Sequence, residues 1–137
     1  MQLPSSLSGS ESLARYLTQS NHYNLRTYSV MPRAFEPPAD LRLSVFRING
    51  LSDPEVWENG QVNVIDKMPQ PQPLRGFADI KVLEVQATSL TVDPDNTPPR
   101  HACIVGWPEG ESNKSKRKLL AQELASKAKL RLRRDNS

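Results

Sequence analysis

The chain is poor in the residues from which dedicated chemical centres are built. Its 137 residues include one cysteine, Cys103, and two histidines, His22 and His101. A lone cysteine closes no intramolecular disulfide, which fits a reducing compartment and makes the cytoplasm the expected location. His101 and Cys103 alternate onto one strand face and offer two metal ligands. A tetrahedral site needs a third and fourth, and the only other histidine is His22, so no metal and no cofactor is expected. No run of 18 apolar residues occurs, which excludes a spanning helix. The first residues, MQLPSSLSGSES, lack the basic start and apolar block of a secretory signal.

Recognition motifs are missing as well. The stretch from Gly106 to Ser115 does not follow the spacing of a phosphate loop. A calcium loop starting at Asp93 fails, because Pro98 falls at the glycine position and Ile104 at the terminal acid. There is no paired-Cys, paired-His zinc pattern, no aromatic run suited to stacking bases, and no internal repeat. Trp57 and Trp107 are read as core anchors.

What the chain does have is a marked asymmetry of charge. Segment 113–134 carries Lys114, Lys116, Arg117, Lys118, Lys127, Lys129, Arg131, Arg133 and Arg134 against the single acid Glu123. That is a net of +8, against +3 for the whole chain, leaving −5 elsewhere. Leu120, Ala121, Leu124, Ala125, Ala128 and Leu132 fall at helical spacing through it, so a basic amphipathic helix over 113–134 is expected. A merely solvated helix interleaves Glu with Lys, and this one does not. Its first turns crowd lysines where the macrodipole disfavours cations by about 0.3–1 kcal/mol each. A polyanion partner would account for both features.

The rest reads as one domain. Residues 1–9 are expected to be a disordered tail, and 10–137 a single α+β domain with a small, mostly antiparallel sheet of four to six short strands. Ser10 begins an expected helix ending near Ser20, with Leu13, Tyr16 and Leu17 on one face. Strand runs are expected over 28–35 and 41–48, the first demoted by Pro32. Ser52-Asp-Pro-Glu55 is a capping box that predicts a helix over 52–60, with Gly60 as its stop. A short extended piece follows at 62–65, then a Pro-rich linker at 68–74. Residues 77–85 and 90–92 read as a strand pair, and 102–105 as a further strand.

The expected function is a small binding protein without enzymatic activity. It would contact a polyanion through the nine cations, nucleic acid first and an acidic protein surface second, with no membrane partner and a place in a larger assembly. A first alternative is an adaptor docking through Leu120, Leu124 and Leu132. A second is an enzyme centred on Asp95, Arg100 and His101, which offer a carboxylate, a cation and a titratable base but no identified nucleophile.

Overall fold

The computed structural model describes residues 6–133. In chain order the elements are β1 (Ser12–Leu17), β2 (Tyr23–Asn24), β3 (Ser29–Val30), β4 (Leu43–Arg47), α1 (Asp53–Asn63), β5 (Gly76–Lys81), α2 (Val82–Gln86), β6 (Thr91–Asp93), β7 (His101–Val105), α3 (Lys114–Lys127) and β8 (Lys129–Leu132). Six strands form one sheet in the order β6-β7-β4-β1-β5-β8, and β2 and β3 form a separate hairpin. Every neighbouring pair is antiparallel, so the α+β architecture is the observed one. No helix among the described residues is long and apolar enough to cross a membrane.

The sheet separates two apolar layers. Leu13, Leu17, Leu43, Val45, Ala78 and Ile80 point to one side, where Ala121, Leu124 and Ala125 of α3 and Phe35 of the 3-10 turn Pro32–Phe35 pack on them. Ala14, Tyr16, Phe46 and Phe77 point to the other, under Val56 and Trp57 of α1. The period of two along each strand sets this division.

β1 overturns the expected helix at 10–20. It lies in the middle of the sheet, between β4 and β5, and is buried on both faces. Leu13 and Leu17 serve one layer and Tyr16 the other, and a strand filled on both faces imitates the i, i+3, i+4 spacing of a helix. Residues 6–9, expected within the disordered tail, are tied down: the Leu83 amide donates to the Gly9 carbonyl, and Leu7 packs on the core. Residues 1–5 lie outside the described residues.

The capping box is present in full. The Ser52 amide donates to Glu55 Oε1 at 2.8 Å and the Glu55 amide to Ser52 Oγ at 3.4 Å. Gly60, however, does not stop α1, which runs on to Asn63, so residues 62–65 are not extended. Gly60 serves a close approach: a Cβ there would lie 2.6 Å from Tyr16 Cε1. The expected run at 28–35 shrinks to β3, because Pro32, lacking an amide proton, starts the 3-10 turn. Residues 68–75 are in neither helix nor strand, as the prolines require.

Two pairings differ from the sequence reading. The run at 77–85 breaks at Lys81, whose amide donates to Glu84 Oε1 at 2.9 Å and so starts α2. β6 accordingly pairs with β7, not with β5. The basic segment is not one helix over 113–134. α3 ends at Lys127, and β8 then adds an edge strand beside β5, with Leu130 turned inward and Lys129 and Arg131 outward.

Candidate functional site

β4 and β7 pair with Ser44 opposite Cys103 and Phe46 opposite His101. On an antiparallel ladder this makes Ser44 and His101 diagonal neighbours on one face. Ser44 Oγ lies 2.7 Å from His101 Nε2, and His101 Nδ1 lies 2.7 Å from Asp95 Oδ1. The tautomer follows from the partners. An ionised carboxylate only accepts, so Nδ1 carries the proton, and in the neutral imidazole Nε2 is then the acceptor to which Ser44 donates. The Phe46 ring and the imidazole meet in a T-shaped arrangement, centroids 5.2 Å apart and planes at 71°, which restrains the imidazole plane.

Asp95 is held in the loop between β6 and β7. Its Oδ1 also accepts from the Thr97 amide at 3.2 Å, while the Asn96 amide donates to the His101 carbonyl at 2.8 Å. Partial burial pushes the Asp95 carboxyl up, but the bonds from His101 and Thr97 outweigh it and leave the group below its ordinary value. Behind the loop stands Arg47, fully buried, which bonds both carboxylate oxygens of Glu11 and, at 3.2 Å, Asn96 Oδ1. Arg100, a candidate from sequence, makes no hydrogen bond or ion pair with Asp95 or His101 among the described residues. Its guanidinium donates to the carbonyls of Arg47 and Asn49 and so pins the loop to the end of β4.

Just ahead of β4 stands Arg42, paired with Asp93 at 2.8 Å. The side chains of Arg42 and Asp93 are 43% and 51% exposed, so this end of the sheet is open to solvent. Asp95, His101 and Cys103 bring one ligand atom each within 4.8 Å of one another. A cation there would have to replace the His101–Asp95 hydrogen bond. It would also meet a thiol that burial pushes up, toward the protonated form, and the Arg42 charge beside it. The residues therefore suit a hydrogen-bonded chain better than a metal centre.

The nine cations of the C-terminal segment do not form one surface. Lys114, Lys116 and Lys118 are exposed on the first turns of α3, and none makes an ion pair among the described residues. Arg117 is turned to its own loop and donates to the carbonyls of Pro108 and Gly110, both at 2.8 Å. Lys127 is half-buried at the end of α3. Lys129 and Arg131 project from β8 to the face opposite α3, where Arg131 meets Asp79 at 3.4 Å. Arg133 lies over the Trp57 ring, 5.9 Å from its centroid. Arg134 is outside the described residues. Of the apolar stripe, Leu124 is fully buried in the protein's own core, while Leu120 in α3 and Leu132 in β8 are partly buried against that core.

Sequence reasoning missed Ser44 entirely, and it also missed the surroundings of His22, which lies near Arg15, Arg33 and Arg75. Burial, and then the charges of Arg15, Arg33 and Arg75, push His22 down to about 4. No family model matches the chain, and neither the curated proteins nor the solved structures provide a match.

Proposed function

We propose that the protein binds polyanions, nucleic acid first among them, through the lysines that open α3. The observation that carries this reading is that Lys114, Lys116 and Lys118 stand exposed on the first turns of a helix without an ion pair among the described residues. Lysines at that end oppose the helix dipole, and no acid in the first turn relieves them. A phosphate backbone supplies the missing countercharge, and each neutralised phosphate releases condensed counterions. Phosphate contacts position a protein on the strand but carry no base information, so the binding is weakly selective for sequence. The surface is smaller than the nine-residue set, because Arg117 is engaged by its own loop and β8 turns Lys129 and Arg131 to the other face.

The test reverses Lys114, Lys116 and Lys118 to Glu together and leaves Arg117 in place. The triple variant should remain folded by circular dichroism, since acids in the first turn suit the dipole. Its affinity for a fluorescent oligonucleotide, read by anisotropy, should fall. The plot of log affinity against log salt should flatten by about 0.7–0.9 for each phosphate that the variant no longer neutralises. A folded variant with unchanged affinity and slope would sink the reading.

A further inference from the structure

We propose that Ser44 is a nucleophile for acyl transfer, with His101 as its general base and Asp95 as the carboxylate that positions the base. This activity rests on residues separate from the lysines of α3 and does not depend on the polyanion reading. Three side chains from two strands and a loop form one unbroken chain, Ser44 Oγ to His101 Nε2 and His101 Nδ1 to Asp95 Oδ1, with both links at 2.7 Å. The tautomer that Asp95 imposes is the one in which Nε2 can take the serine proton. A serine hydroxyl is a weak nucleophile until such a base is in contact with it.

The geometry has a further component. Arg42 sits two residues before Ser44, just ahead of β4, and pairs with Asp93, whose register partner Cys103 is also the register partner of Ser44. Its charge is engaged by Asp93, so an acyl oxygen at Ser44 would have to draw Arg42 from that pair. The loop behind Asp95 is held by Asn96, Thr97 and buried Arg47, so the orienting carboxylate does not rely on a mobile tip. Ser44 and His101 are themselves part-buried, with the exposed Arg42–Asp93 pair nearby and, among the described residues, no deep acyl tunnel at the serine, so the substrates proposed are short-chain carboxylic esters.

In the first step Ser44 Oγ attacks the ester carbonyl while its proton passes to Nε2. The bond from the acyl carbon to the alkoxy oxygen breaks, and the departing oxygen takes that proton and leaves as the alcohol. Water then attacks the seryl ester, giving a proton to Nε2. The acyl carbon separates from Ser44 Oγ as the carboxylic acid, and the proton returns to Oγ. No oxidant, metal or cofactor enters the balance.

The test uses the full chain and a fluorophosphonate probe, which labels an activated hydroxyl, together with p-nitrophenyl acetate as a short ester. Peptide mapping should place the adduct on Ser44, and ester hydrolysis should exceed that of the unfolded chain. Ser44→Ala should abolish both. His101→Gln should slow labelling by about 100-fold or more, the scale of general-base assistance. Asp95→Asn should slow it comparably, because an amide can donate to Nδ1 and trap the wrong tautomer, whereas Asp95→Glu should recover part of the rate. Absence of an adduct, an adduct on Cys103 or another residue, or labelling of Ser44 that survives His101→Gln would each overturn the proposal. Should Ser44→Ala fail to fold, mapping of the adduct on the unaltered protein still decides.

Discussion

Gly60 of α1 lies directly against the ring of Tyr16 in β1. The Tyr16 hydroxyl donates to the Val56 carbonyl at 2.7 Å and accepts from Asn59 Nδ2 at 3.1 Å, which fixes the ring in place. Burial pushes this phenol up to about 12, so it remains a donor. Gly60→Ala would put a Cβ 2.6 Å from Tyr16 Cε1 and 3.1 Å from Leu74 Cδ2. Alanine improves helix propensity by about 1 kcal/mol, but a ring anchored at its hydroxyl cannot retreat, and overpacking costs about 1–3 kcal/mol. The expected outcome of chemical denaturation is a net loss of stability. A gain would mean that α1 can lift from the sheet.

Glu11 and Arg47 form a buried ion pair, with side chains 7% and 1% exposed. Glu11→Ala removes the carboxylate from a buried guanidinium and is expected to destabilise by about 3–5 kcal/mol. Replacing both residues by apolar ones of similar size should cost much less. A double-mutant cycle read by urea denaturation distinguishes the two cases. Because Arg47 also bonds Asn96, the single variant should slow labelling of Ser44 as well.

The pH dependence of stability should carry the signature of His22. Its folded value is about 4, against an ordinary 6.5, first through burial and then through Arg15, Arg33 and Arg75. The unfolded chain therefore takes up the proton first on acidification. The stabilising contribution is complete above the ordinary value and is lost as pH falls from about 6.5 toward about 4. Melting temperatures measured across that interval should fall, and His22→Asn should flatten the slope. An identical slope in the variant would show that His22 protonates without resistance in the folded state.

The start of α1 should respond to local changes alone. Ser52→Ala removes the acceptor for the Glu55 amide, with an expected loss of about 1 kcal/mol. Val56 still packs with Phe46 when the cap is lost, so α1 should stay on the sheet and labelling of Ser44 should continue. Thermal unfolding and probe kinetics on one preparation check both statements.

The helix start at Ser52 was legible because every partner in it lies within three residues, so local chemistry decides it. The alternation that makes β4 and β7 strands was legible for the same reason, as was the placing of His101 and Cys103 on one face. β1 was misread because a strand buried on both sides loses its polar alternation, and its neighbours β4 and β5 are remote in the chain. Beyond Lys127 the sequence Ala-Lys-Leu-Arg-Leu continues a helical stripe as readily as it makes a strand. The open edge of β5 decides, where Gly76 lets the backbone of Arg131 approach so closely that a Cβ would sit 2.5 Å from its carbonyl oxygen. Ser44 stands 57 positions from His101, and nothing local marks it as a partner. The chain by itself determined which residues could act as base and carboxylate, and where the cations are concentrated. The register of β4 against β7 decided that a serine completes the chain, and the turn into β8 decided that the cations face two ways. Both are long-range pairings, in which contacts between distant segments outweigh what any short stretch prefers.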